Sequence, residues 1–308
     1  MNKTLTSVAA ATPKKKKTHG LSGYVFILPY LVFFMMLIIL PTLLNFILSF
    51  TYYNVIEFPT FNGVRNYIDI FTSDPLFLKT VLPNTLKYAL IIGPGGYLLA
   101  FILAWILVQL PKNLRTVLAV IIYVPSMLGG VMMTVVWRVL FSGDATGYLN
   151  GLLLDLNLID QPIQWLQDPA LLMNVMLVVV MWSSMGLSFL ALLAGILNID
   201  RTIYEAAYID GLKNRFQEIF YITIPSMKPQ MLFSAVMAII GAFKAAGVAS
   251  ALSGSSPPPQ YGGWLIVDHM NDYAFQKFEM GYASALAVIL LLMIYYFNRI
   301  SYKLFKED

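Results

Sequence analysis

The chain has 308 residues, 58% of them apolar and only 12% charged, too apolar for an ordinary soluble domain and long enough for about six membrane spans. It contains no cysteine, which excludes disulfides, thiolate nucleophiles and thiolate metal sites, and its two histidines, His19 and His269, do not suffice for a metal cluster. The basic residues behind the net charge of +4 are not gathered on one soluble face, so they point to membrane topology rather than to a nucleic-acid partner.

In chain order, residues 1–23 form a polar tail with Lys14 to Lys17 in a row, suited to lie in the cytoplasm against anionic lipid. Tyr24 to Phe50 runs 27 residues without a charge, too long for a signal-peptide core, and is predicted as the first span; with the loop after it, it makes a segment over 24–80. Residues 51–83 mix aromatic and polar types, including Phe61-Asn62-Gly63, Asn66-Tyr67 and Asp74-Pro75, with Asn84-Thr85 just beyond. Tyr88 to Leu110 is a second uncharged span. Its Gly93-Pro94-Gly95-Gly96 run lacks the Lys-Ser/Thr of a phosphate loop and is expected to kink the span.

Lys112 and Arg115 mark a short turn, and Val117 to Phe141 is predicted as the third span, with Arg138 near enough its outer end to snorkel. Residues 142–170 hold four aspartates and neither lysine nor arginine, which suits the outer face. Leu171 to Leu197 is the fourth span, again 27 uncharged residues. After a polar loop, Met231 to Leu252 is predicted as a fifth span, residues 253–263 as a Gly, Ser and Pro-rich loop followed by a short amphipathic stretch, and Met280 to Phe297 as the sixth span, ahead of a tail over 299–308. The expected fold is thus an all-α polytopic membrane protein with six spans. Lysine and arginine number 5 in the first tail, 2 in the first inner loop, 4 in the polar loop and 3 at the C-terminus, against 4 on the outer side, a bias that puts both termini in the cytoplasm.

The polar loop from Asp200 to Pro229 reads as two short helices. Asp200 caps the first, with Ile203, Ala206 and Ala207 on one small-sided face; Gly211 breaks it; Asn214 with Gln217 starts a second, and Pro225 and Pro229 stop that one. Taken alone, this is an amphipathic surface hairpin between two spans.

The text Glu205-Ala206-Ala207, Asp210-Gly211 and Ile222-Thr223-Ile224-Pro225 resembles the "EAA" loop of permease subunits in binding-protein-dependent ABC importers. The stretch 81–298 is similar to the five-span type I permease core of that class, with the first span as an addition, and the motifs around residues 61–85 resemble those of the carbohydrate-importing, maltose-transporter-like subfamily. The resemblance implies a cytoplasmic loop whose first helix docks into a cleft of the ATPase. It also implies pairing with a second permease, two copies of the ATPase and an extracytoplasmic sugar-binding protein, and uptake of an oligosaccharide by alternating access.

The residues themselves offer no Walker-type loop, acid pair, catalytic triad or metal spacing, so neither an enzyme nor a cofactor is expected and the energy must come from a partner. Polar groups within spans are the remaining candidates. Lys244 sits eight residues from the end of its predicted span, roughly 12 Å at helical rise, and is expected to face either the translocation path or the partner permease. Trp182, Ser183, Ser184 and Ser188 offer an aromatic platform and hydroxyls to a sugar, or else serve helix packing. Rival readings are the same machine importing a glycerol-phosphate ester or an amino acid, a secondary transporter, and a scaffold that recruits an ATPase.

Overall fold

The computed structural model describes residues 22–128 and 130–305, so the Lys14 to Lys17 run and the last three residues lie outside it. In the first of two structural units, residues 1–45, the uncharged run forms α1 (Ser22–Phe34), a π turn (Met35–Ile39) and α2 (Leu40–Leu48), which carries the chain into the second unit, residues 46–308. Phe26–Leu48 is helical for 23 residues, and its Phe33, Met36, Leu37 and Leu44 are all exposed. A helix apolar all round is one whose solvent is lipid.

The second unit opens with a two-stranded hairpin, β1 (Thr51–Tyr52) and β2 (Thr60–Phe61), in which Thr51 pairs with Phe61 and Tyr52 with Thr60. Gly63, at φ +59°, turns the chain into α3 (Arg65–Thr72), where the Asn66 amide donates to the carbonyls of Ser49 and Thr51, both at 2.9 Å. A π turn (Phe77–Val81) leads into α4 (Leu82–Val108), which runs as one helix through Pro94. The predicted third span is instead two helices, α5 (Lys112–Met127) and α6 (Gly130–Leu140), because α5 ends at the extended Leu128. Pro125 removes one helical N–H there, and two glycines follow in sequence. The aspartate-rich loop contains α7 (Tyr148–Asp155), anchored by the buried Asn150, which accepts from Ile163 N–H and from Trp165 Nε1 at 2.8 Å.

The fourth predicted span is a bent pair: α8 (Pro169–Ser183), capped by the Asp168 carboxylate, and α9 (Leu187–Leu197), 41° apart. The polar loop then forms α10 (Arg201–Ile209), α11 (Arg215–Glu218), a π turn (Ile219–Thr223) and α12 (Ile224–Ser226), meeting α13 (Lys228–Phe243) at 85°. Pro225 and Pro229 therefore do not stop the second helix. Helical turns continue through Ser226, the break falls at Met227, and Pro229 stands in the first turn of α13, where a proline has no N–H to waste. The fifth predicted span also ends early. α13 stops at Phe243 and a separate α14 (Val248–Ser253) starts from Gly247, whose φ of +73° a side chain rarely allows. The amphipathic stretch is α15 (Ile266–Phe275), and the last span is α16 (Met280–Phe305), which absorbs most of the predicted C-terminal tail.

Among the described residues three helices have the length and apolar content of a span, Phe26–Leu48, Phe77–Val108 and Met280–Leu304, and the two bent pairs bring the number to five if each crosses once. α4, α9 and α13 pack on one another, and α16 packs on α13 and α15. Their contacts form two apolar clusters at successive levels of α4. Tyr88 and Ile92 join Met176, Leu252, Ile266 and Leu286 in one; Ala104 and Leu107 join Phe189, Leu192, Met227 and Met231 in the other.

Candidate functional site

The α10–α12 hairpin is built as its sequence predicts at its first turn and more firmly than predicted at its base. The Asp200 carboxylate accepts the Thr202 N–H at 3.0 Å, which holds that carboxyl below the usual carboxylate range. Gly211 takes φ +98°, and Asn214 caps α11 by accepting from Gln217 N–H while the Gln217 side chain accepts from Lys213 N–H. Sequence reasoning missed the clasp between the two helices. The hydroxyl of Tyr208 donates to Glu218 Oε2 at 2.8 Å, Arg215 pairs with the same oxygen at 2.9 Å, and Tyr204 and Thr223 hydroxyls lie 3.1 Å apart. The hydrogen bond to Glu218 raises the Tyr208 pKa, since losing that proton would forfeit the bond and set two anions together. The signal was the i, i+4 spacing of Tyr204 and Tyr208 on the face opposite Ala206.

On the outward side α10 has no buried residue. Glu205, Ala206, Asp210, Gly211 and Pro225 are exposed and Ala207 is half-buried, so the residues of the predicted docking face share one accessible hairpin. Ile209 is 87% exposed, and Phe216, Phe220 and Tyr221 of the same hairpin are exposed too, large apolar groups at the surface of a polar loop.

Three of the four predicted path residues of the fourth span meet at the α8–α9 break. Ser183, Ser184 and Ser188 line a cavity of about 330 Å³ with Tyr88, Gly96 and Ala242. Gly96 lets α4 approach closely: a Cβ there would stand 2.9 Å from Ser184 Oγ. The hydroxyls are partly spoken for, Ser183 and Ser184 by carbonyls of their own helix, and Ser188 by Ser234, each donating to the other's carbonyl at 3.2 Å. Trp182 is not in this cavity. It stands edge-on to Trp137, with ring centroids 5.4 Å apart, and lines a separate apolar cleft with Tyr148. Lys244 also lies outside the serine cavity, exposed at the C-terminal end of α13 rather than within a continuous helix, so the depth inferred from helical rise does not apply.

A buried polar cluster stands at the N-terminal end of α4. Asp74 accepts from Phe77 N–H at 2.9 Å and from the Tyr282 hydroxyl at 2.8 Å, and lies 2.8 Å from Nε2 of His269, which is only 1% exposed. Burial pushes the Asp74 carboxyl up, but the bonds from Phe77, Tyr282 and His269, with the imidazole's attraction, outweigh it and the net shift is downward. Burial lowers the His269 pKa against the pull of Asp74. A neutral imidazole donating Nε2–H to an ionised carboxylate satisfies both directions. Nearby, Asn84 donates weakly to the carbonyls of Tyr261 and Trp264, and Thr85 Oγ1 accepts from Ile266 N–H at 2.9 Å.

Residues 96–305 match the family model described as "Binding-protein-dependent transport system inner membrane component". The chain is 33% identical to the probable ABC transporter permease protein YesP of Bacillus subtilis over 94% of this chain and 93% of that one. It is 29% identical to the arabinooligosaccharides transport system permease protein AraP of the same organism, over 91% and 87%, and 26% identical to the trehalose/maltose transport system permease protein MalF of Thermococcus litoralis, over 96% and 98%. Among solved structures, a chain of a bacterial ABC transporter that imports the acidic polysaccharide alginate superposes with a TM-score of 0.73 at 21% identity, over 91% of this chain and 94% of that one. With its apolar helices, its polar hairpin and a family match over two thirds of its length, the chain belongs to the membrane-embedded permease components of binding-protein-dependent ABC transporters.

Proposed function

We propose that this permease takes up a carbohydrate, and more narrowly an oligosaccharide, by alternating access driven by ATP hydrolysis in a partner subunit. The observation that carries the substrate class is the set of sugar names on relatives that match 73–96% of this chain: arabinooligosaccharides, lactose and trehalose/maltose. In this reading the chain crosses the membrane six times with both termini and the 200–229 loop in the cytoplasm, an orientation that the charge bias supports. It pairs with a second permease subunit and two ATPase copies, and receives substrate from an extracytoplasmic binding protein. One solved relative supports that last partner, having been captured with a periplasmic protein bound to an alginate pentasaccharide.

The exposed hairpin supports ATPase docking through Glu205, Ala206, Ala207, Asp210, Gly211 and Pro225, because a small-sided helix face permits close approach and the apolar groups around it are uncovered. Ser183, Ser184 and Ser188, in their cavity, and Lys244, at the α13–α14 break, are assigned to the path, with Trp182 at its edge. Lys244→Met should insert and assemble normally yet reduce uptake; uptake at the parental rate removes Lys244 from the path.

The functional test is reconstitution of the permease pair, ATPase and binding protein in vesicles. ATP-dependent accumulation of labelled arabinooligosaccharide, lactose or maltose is the expected result. Accumulation of an amino acid or a glycerol-phosphate ester instead would transfer the machine to another substrate, and ion-driven uptake without ATP would make it a secondary transporter.

A further inference from the structure

Between α14 and α15, away from the serine cavity, lies a cleft of about 420 Å³, within the size range of small-molecule sites. Its walls are tied by one buried carboxylate. Asp268, at the third position of α15, accepts N–H bonds from Gly247, where α14 begins, and from Leu265, where α15 begins. With each carboxylate oxygen accepting a backbone N–H, Asp268 holds the cleft's shape.

Its neighbours are unengaged. Asn271 and Gln276 are exposed, and among the described residues their side-chain amides, like the Ser250 hydroxyl, have no hydrogen-bond partner. The ring of Phe275 is 63% exposed between them. Trp264 lines the same cleft at 5% exposure, and its buried indole N–H has no partner, a donor that a polar core would normally satisfy. Asp272 completes the lining, its charge moderated by Lys277 at 3.1 Å, and Lys277 in turn stacks its ammonium on Tyr273, 3.6 Å from the ring centroid.

Free amides and a hydroxyl around an accessible aromatic face, with carboxylates and no unpaired cation in the lining, match a sugar ring: equatorial hydroxyls exchange hydrogen bonds with amides and carboxylate while the C–H face lies on the aromatic ring. We propose that this cleft is a second carbohydrate subsite, distinct from the serine cavity, which holds one end of a neutral oligosaccharide as it passes between the binding protein and the spans. The proposal rests on the carbohydrate reading given above and on its topology, which puts the α14–α15 segment on the outer side.

The test uses the whole importer in vesicles with labelled maltose, lactose and arabinotriose as probes. An Asn271→Ala/Gln276→Ala double variant and Phe275→Ala change only exposed groups. Each should lower uptake of the carried probe about tenfold, the loss of one or two hydrogen bonds or a stacking face, while ATP hydrolysis stimulated by the loaded binding protein stays within about twofold of the parent. Phe275→Tyr, which keeps the ring, should restore uptake. Parental transport with unchanged variant uptake overturns the subsite alone. A parallel fall in uptake and stimulated hydrolysis makes the cleft a docking face for the binding protein, and loss of the second permease makes it a subunit interface; both outcomes overturn the proposal. A parental complex that carries none of the three probes overturns the carbohydrate reading, and the subsite falls with it.

Discussion

At the N-terminal end of α4 the loops bury their polar groups against one another: Asp74 with His269 and Tyr282, Asn66 with the hairpin carbonyls, Thr85 with the start of α15. At the other end of α4, around Ala104 and Leu107, the chain is packed just as well up to Met227, Ile219 and Ile224, and then presents α10 with no residue buried. One end is finished by its own side chains. The other carries Ile209, Phe216, Phe220 and Tyr221 into solvent and finishes only its internal clasp through Glu218. An internally braced, externally apolar surface is the kind that a partner covers, so the contrast gives rigidity to the first end and supports the ATPase docking proposed for the second.

The sharpest way to break the finished end is Asp74→Ala, which strands the Phe77 amide, the Tyr282 hydroxyl and a buried imidazole at once. A loss of about 3–5 kcal/mol is expected, read as a marked fall in melting temperature of the purified chain in detergent. A variant that melts with the parent would mean that the cluster is not what holds α3, α15 and α16 together.

The same cluster should make that end acid-sensitive. Burial, the largest influence on both groups, disfavours charge, and the folded imidazole has the lowered pKa; stability is therefore lost as pH falls below the ordinary histidine value of about 6.5. The Asp74 carboxyl, whose net shift is also downward, is stabilising above the ordinary carboxylate value and adds loss only at far lower pH. His269→Gln keeps a donor near the Nε2 position and removes the titration, so the decline in melting temperature between about pH 7 and pH 5 should flatten. An unchanged slope would place the acid sensitivity elsewhere.

Ser188→Ala is the smallest perturbation and sharpens the boundary between packing and path. It removes one half of the reciprocal Ser188–Ser234 pair, worth about 0.6 kcal/mol between membrane helices. A slight drop in melting temperature with a partial loss of uptake is expected, because Ser188 lines the proposed path, and uptake at the parental rate would leave Ser188 to helix packing. A severe uptake defect at parental stability would make Ser188 a substrate contact.

Much of this contrast was legible in the residues. Uncharged runs located the apolar segments, and Asp200, Gly211 and Asn214 marked the turns of the hairpin because caps and glycine turns are local chemistry. The motifs at Asn66, Asp74 and Asn84 were visible as text, but their partners lie as much as 208 residues away, so no local rule reveals what they hold. Breaks inside apolar runs were illegible for the opposite reason: at Ser184–Gly186 and ahead of Gly247 the helix stops within a predicted span, because backbone geometry and small residues decide there. The prolines of the hairpin were misread because Pro229 begins a helix as readily as it ends one.

The measurement that bears most directly on the unfinished end is retention of the ATPase by Ala207→Asp. A carboxylate placed in a contact that excludes water costs several kcal/mol, enough to weaken docking by orders of magnitude, whereas the hairpin itself buries nothing on α10 that the change would disturb. The expected result is a permease pair of parental melting temperature that fails to retain its ATPase and shows no stimulated hydrolysis. Co-purification of the ATPase with transport at the parental rate would contradict it and remove the α10 face from the docking surface.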